Sequence, residues 1–246
     1  MYNVIDRIIS EYEMFVFDLD DTLVKTEHLH YDAWMHVLTK YMGPTFSLSY
    51  YEYVYKMHSN KGFPVAIYLR DELNLSNYQD LITEKNQYFL ELIENDPKKI
   101  TLCNGVANFL TQITRFGKPF VIVTNNVKRN VDHICTMFPV LNQAKKIYTR
   151  EMFTHKKPDP ECYLQVLGDF PNKKMIGFED SLTGIHSIVH SKNIDVVFIN
   201  NKDYPYYQYI LETYQDIKYT CENFNEIYPH NIIPQVVTIN LCQYNV

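Results

Sequence analysis

The chain has 246 residues, of which 46% are hydrophobic and 21% charged, with 7 glycines; this excludes disordered, collagen-like and linker-rich classes and allows one large domain or a core with a smaller insert. A formal net charge of −6 offers no general attraction for nucleic acid or an anionic membrane, so any phosphate recognition must be local. Five scattered cysteines without a Cys-x-x-Cys spacing suggest neither a zinc site nor a disulfide framework and fit a reducing cytoplasm, while charges at Asp6 and Arg7 and the lack of a long apolar run argue against a signal peptide or membrane anchor.

In chain order, the first legible element is the apolar run Met14-Phe-Val-Phe17, which reads as a buried strand and ends in Asp18 and Asp20. Leu29, Ala33, Trp34, Val37, Leu38 and Tyr41 recur at helical spacing, predicting a helix near 27–41 that Gly43-Pro44 stops. From there to about residue 95 no alternation of period two stands out, and Tyr78, Leu81, Ile82, Phe89, Leu92 and Ile93 form a second helical stripe, so the segment 27–95 reads as an all-helical insert closed by the linker Asn95-Asp-Pro-Lys-Lys. Asn104 is the expected N-cap of the next helix and Gly117 its stop. Strand-like runs at 119–123, 146–148, 174–178 and 194–199 then alternate with helical patterns, two of them starting at Asp159-Pro160 and Ser181. Residues 204–219 suggest a last helix and a short strand, and 222–246 gives only weak strand signals at Ile232-Ile233 and 236–241. The fold class is thus α/β, a Rossmann-like, doubly wound parallel sheet core (1–26 and 96–246) with an inserted helical cap (27–95).

Polar residues follow the strands: Asp18 and Asp20, then Thr124-Asn125, then Glu179-Asp180, with Lys157 in the loop entering the Asp159 helix. In a parallel sheet these strand ends frame one crevice. Taken singly, each is an ordinary turn, cap or solvated charge; in this order they fit phosphoryl transfer through a covalent aspartyl phosphate. Asp18 is the candidate nucleophile and Asp20 the acid–base group. Asp180, with Glu179, completes a site for a hard divalent ion, Mg²⁺ being the natural one. Thr124 donates to a phosphoryl oxygen, and Lys157 supplies positive charge.

Asp18-Leu-Asp-Asp-Thr, Thr124-Asn125, Lys157-Pro158 and Glu179-Asp180-Ser181 resemble the four motifs of the haloacid dehalogenase superfamily, in its order, over roughly residues 14–200. The helical insert, Thr26-Glu27, His30-x-x-Ala33-Trp34, Asn104-Gly105-Val106 and Lys157-Pro-Asp-Pro resemble its subgroup of β-phosphoglucomutase and small sugar-phosphate phosphatases. This resemblance implies magnesium held by Asp18, the Asp20 carbonyl and Asp180. Asp21 stands where many members carry glycine, and Thr22 where β-phosphoglucomutase has an aliphatic residue, which tilts the choice toward a phosphatase.

The expectation is a cytoplasmic, monomeric, magnesium-dependent phosphatase of a small phosphorylated metabolite, with no nucleic-acid or membrane partner. The rival enzyme is a sugar-phosphate mutase; a phosphorylation-switched receiver is disfavoured by motif order, and a silent binding protein by the full set of groups. On the cap side His30, by the resemblance, and Lys85 are candidate substrate contacts, an ordinary satisfied histidine being the other reading of His30. The ordinary reading of Lys85, a packed stem with its amine in water, is the stronger one from sequence. His186 and His190 have helical i, i+4 spacing but no third ligand, which favours surface or packing roles.

Overall fold

A computed structural model describes residues 4–58, 65–200 and 203–229; the weak strand signals at 232–241 lie outside them. Helix α1 (Val4–Glu11) leads into β1 (Met14–Phe17), and a two-residue β2 (Val24–Lys25) precedes α2 (Glu27–Met42). The insert continues through α3 (Tyr50–Tyr53), α4 (Val65–Ile67) and α5 (Tyr78–Asn95), then returns at β3 (Thr101–Leu102). Beyond it run α6 (Val106–Arg115), β4 (Phe120–Val123), α7 (Lys128–Met137), β5 (Ile147–Tyr148), α8 (Glu161–Asp169) and β6 (Met175–Glu179). The described chain closes with α9 (Leu182–Ser191), β7 (Ile194–Ile199), α10 (Tyr207–Thr213), β8 (Ile217–Asn223) and β9 (Glu226–Pro229).

Among the described residues, seven strands form one sheet in the order β5-β4-β1-β6-β7-β8-β9, parallel except for β9 against β8, and β2 pairs separately with β3. Every residue of β1, β4 and β6 is buried, as a parallel sheet covered on both faces demands. Alternation assigns the faces: Phe15 and Phe17 pack with Phe109 of α6, Phe178 and Phe224, while Met14 and Val16 meet Cys162 and Tyr163 of α8 and Ile185 of α9. Trp34, Val37, Leu38, Tyr53, Leu69 and Leu81 make a third apolar cluster inside the insert. The chain leaves β1 for β4 on one side and later returns to β6 on the other. Their carboxyl ends therefore flank a topological switch point, where doubly wound sheets open a ligand crevice.

Three local features differ from the sequence reading. The helix expected to start at Asn104 is capped by Gly105 instead (φ 84°), and the Asn104 carbonyl accepts the Phe224 N–H (3.0 Å). The β8–β9 turn presses so closely that a Cβ at Gly105 would meet Asn225, so the backbone there follows a tertiary contact rather than a side-chain cap. Pro160 occupies the cap position of α8, although the Asp159 carboxylate does accept the Glu161 N–H (2.9 Å). The β2–β3 pair, which ties the two crossings between core and insert, has strands too short to show a period. Ser181 caps α9 as expected, its hydroxyl accepting the Gly184 N–H (3.1 Å).

Candidate active site

The crevice gathers the sequence-singled residues in a cleft of about 210 Å³ lined by Asp18, Asp20, His30, Lys85, Thr124, Asn125, Lys157 and Asp180. Glu179 lies beneath it, fully buried. At its floor the Lys157 ammonium donates to Asp18 (2.6 Å), Glu179 (2.7 Å) and the Val123 carbonyl (2.7 Å), which uses all three of its protons. Asp18, Glu179 and Asp180 each offer a carboxylate oxygen, all within 4.8 Å of one another and all buried. Two of these carboxylates, Asp18 and Glu179, share the Lys157 ammonium, and Asp180 lies beside them. Burial, opposed by Lys157 and reinforced by Glu179 and Asp20, raises the Asp18 carboxyl well above its ordinary range. Burial and then Asp18 and Glu179 do the same to Asp180. For Lys157, burial works against the charge, but Asp18 and Glu179 outweigh it and hold the amine above the usual lysine range.

This donor set fits a divalent cation. It is hard, all-oxygen and short of positive charge, and the buried Glu179 Oε2 has no hydrogen-bond partner among the described residues. A second acidic group among the described residues, His155, Asp159 and Glu161, is exposed or half-buried, and its carboxylates already accept backbone N–H groups.

Asp20 has a different environment. Thr26 Oγ1 (2.7 Å), Thr124 Oγ1 (3.1 Å) and Asn126 Nδ2 (3.2 and 3.3 Å) donate to its carboxylate, and His30 Nε2 lies 3.4 Å away. Burial opposes ionisation here too, but these bonds, that from His30 foremost, prevail and hold the carboxyl below its usual range. Behind His30, the buried Lys85 amine sits 2.7 Å from Nδ1. An ammonium can only donate, so Nδ1 accepts and Nε2 carries the proton facing Asp20. The His30 ring is stacked on Phe89 (centroids 4.1 Å apart), which fixes its plane. Asp21, at φ 55°, turns its carboxylate to the N–H groups of Thr26 and Glu27 (2.9 and 3.0 Å) and so caps α2 from five residues upstream.

The structure thus brings Asp18, Asp20, Thr124, Lys157, Glu179 and Asp180 together. Asn125 also lines the cleft, but both ends of its carboxamide bind the Lys157 main chain (3.0 and 3.2 Å). The Lys85 amine does not reach water as the sequence favoured: α5 packs across α2 so that it ends on His30, and burial pulls its pKa down to about 8. His186 and His190 take local roles, bonded to Tyr214 and to the His186 carbonyl. Sequence reasoning missed Asn126, whose place directly after Thr124-Asn125 was its one signal. It also missed Tyr163, whose hydroxyl bonds Glu179 from the middle of an apolar helix face. Gly184 likewise carried no signal, yet a Cβ there would collide with the Glu179 carboxylate. Gly184→Ala is expected to destabilise the fold by about 1–3 kcal/mol and to lower turnover, measured by urea unfolding alongside an activity assay.

Comparison with known proteins decides the family. Residues 15–200 match the family model of haloacid dehalogenase-like hydrolases. The chain belongs to this family. It is 25% identical over 198 residues (74% of this chain, 87% of the relative) to the phosphorylated carbohydrates phosphatase of Thermotoga maritima. Among solved structures it is similar to a family IA, variant 3 hydrolase of Entamoeba histolytica (TM-score 0.70, 23% identity, 88% of this chain and 95% of that one). It is also similar to CbbY of Rhodobacter sphaeroides (TM-score 0.66, 23% identity, 77% and 87%). The structural likenesses show the haloacid dehalogenase-like fold of the sheet and its helical insert, and the family match makes the chain an enzyme of that family. Among the described residues no helix is long and apolar enough to cross a membrane.

Proposed function

We propose that this hydrolase is a magnesium-dependent phosphatase of a small phosphorylated metabolite, a sugar phosphate or similar monoester, acting through an aspartyl phosphate on Asp18. The observation that carries the reading is the convergence of Asp18, Asp20, Lys157 and Asp180 on one small polar cleft. The relative in Thermotoga maritima, named for phosphorylated carbohydrates, supports the substrate class. In this reading 27–95 is a cap over a core of 1–26 and 96–246, with His30 and Lys85 on the cap side where the leaving group lies.

Asp18 attacks phosphorus, the phosphorus–oxygen bond to the leaving group breaks, and Asp20 gives that oxygen its proton. Water then attacks the aspartyl phosphate, Asp20 takes the proton from it, and Asp18 is released with free phosphate. The hydrogen bonds around Asp20 favour its carboxylate and so suit the second half. Lys157 offsets charge on Asp18 and the transferring group. Asp18, Asp180 and the Asp20 carbonyl, with Glu179 beside them, would hold magnesium, which would supply the further positive charge that lets a phosphate approach a carboxylate.

The test is release of free phosphate from an aryl phosphate and a panel of phosphometabolites, with Mg²⁺ and with chelator. Conversion of β-glucose 1-phosphate to glucose 6-phosphate without phosphate release would favour the mutase instead. Turnover that survives exhaustive chelation would remove the metal from the scheme.

Lys85 gives a pH prediction. Its amine loses a proton near pH 8, and with it the donor-only character that fixes the His30 tautomer. Turnover should fall on the alkaline side with an apparent pKa near 8, and this limb should vanish in Lys85→Met. Because the folded pKa lies below the unfolded value, the charged amine destabilises the fold fully below pH 8, and this is relieved as pH rises toward the unfolded lysine value. Lys85→Met should therefore be more stable than wild type at pH 7, by on the order of 2 kcal/mol. The gain should fade in alkali, as followed by thermal unfolding across pH.

A further inference from the structure

Behind Asp20, at the start of α7, lie two buried asparagines that the reaction scheme does not use, Asn126 and Asn130. Hydrogen-bond polarity fixes both. The ionised Asp20 can only accept, and Asn126 Nδ2 lies 3.2 and 3.3 Å from its two oxygens, so the amide must face Asp20. Asn126 Oδ1 is then turned back, where it accepts from the Val127 N–H (3.0 Å) and from Asn130 Nδ2 (2.8 Å). Asn130 must therefore present its own amide, and its Oδ1 is left buried with no hydrogen-bond partner among the described residues. The same segment orients Thr124: the Asn126 N–H donates to Thr124 Oγ1 (2.9 Å), which leaves that hydroxyl's proton for Asp20.

An orphaned polar atom in the core is destabilising, and an apolar side chain of similar shape would avoid it. Packing therefore gives no reason for an asparagine at 130. The reason lies one residue further along the chain of bonds, since without the Asn130 donor the Asn126 oxygen keeps only the Val127 N–H behind it and the carboxamide is held less firmly toward Asp20.

We infer that Asn130 is a positioning residue of this enzyme: together with the Val127 N–H it holds Asn126 in the orientation that donates to Asp20, and so keeps the acid–base carboxylate in place. The inference rests on the reading of Asp20 as the acid–base group. Asn130 does not line the cleft, so its loss slows the chemical step and leaves substrate binding alone.

The test compares Asn130→Leu, Asn130→Asp, Asn126→Ala and the double variant N126A/N130L, using an aryl phosphate with Mg²⁺ and thermal unfolding. Asn130→Leu should lower kcat about tenfold, with KM changed by less than about twofold and a melting temperature equal to or above that of wild type. Asn130→Asp, although nearly isosteric, should lose kcat similarly, because a carboxylate accepts from Asn126 and turns its oxygen toward Asp20. Because Asn130 acts through Asn126, adding Asn130→Leu to N126A should cost nothing further. Wild-type kcat in Asn130→Leu would overturn the inference. So would a kcat loss accompanied by a lowered melting temperature in both position-130 variants, or a further large loss in the double variant over N126A. Full turnover in Asp20→Asn, by contrast, would overturn the role of Asp20 itself.

Discussion

Asp18→Asn is expected to abolish turnover and, in the metal-free protein, to raise thermal stability. The loss follows from removing the nucleophile: no aspartyl phosphate can form, and turnover should drop by about 10⁴ or more. The gain follows from the charge arrangement. Asp18 and Glu179 share the Lys157 ammonium, with the buried Asp180 carboxylate close by, and burial raises the Asp18 carboxyl well above its ordinary value. A carboxyl that holds its proton more tightly when folded stabilises the fold in acid, and this is lost as pH rises from the unfolded value through the folded one. At pH 7 the asparagine avoids that loss, and Lys157 keeps Glu179 as its partner. Scanning calorimetry should show a melting temperature a few degrees higher, since about 1 kcal/mol moves a chain of this size by roughly 2–4 °C. Adding Mg²⁺ should reverse the order, because an ion bound only by the folded state stabilises wild type by mass action and has lost a ligand in the variant. Hydrolysis at the wild-type rate in Asp18→Asn would refute the proposed chemistry outright.

Lys157→Met is expected to lose both activity and stability. Removing one partner of a buried ion pair typically costs about 3–5 kcal/mol, because the remaining charges have neither water nor a counter-ion. Here two carboxylates are stranded, Asp18 and Glu179, and Glu179 keeps only the Tyr163 hydroxyl. The folded pKa of Lys157 is raised, so its stabilisation is complete below the ordinary lysine value and is lost only as pH climbs through the folded one. The deficit in Lys157→Met should be largest near neutrality and shrink toward acid, where the stranded carboxyls take up protons. Denaturant midpoints from pH 4 to 9 measure this directly. A uniform deficit across that range would mean that lost packing against Tyr163, not charge, sets the effect.

The parts legible in the sequence were those with a local physical signature. Fully apolar runs such as Phe120–Val123 announced buried parallel strands, and the helical spacing of Leu29, Ala33, Val37 and Leu38 announced α2. Ser181 announced its helix because an N-cap works within three residues. The failures also have a common cause. Asn104 looked like a cap, but a hairpin more than a hundred residues downstream took its carbonyl and set the backbone at Gly105. Lys85 looked like a snorkelling lysine, because a single-helix pattern cannot show that α2 brings His30 against its tip. Asn130 was invisible for the same reason: its meaning lies in a chain of bonds reaching Asp20 across more than a hundred positions.

Alone, the sequence determined the sheet, the helical insert and the identity of the groups at the strand ends, because strand burial and strand-end placement follow from periodicity and topology. Only the tertiary structure decided the state of those groups. Protonation, tautomer and amide orientation depend on which donors and charges surround each atom, and the neighbours of Asp18, Asp20 and Lys157 come from different strands, helices and loops.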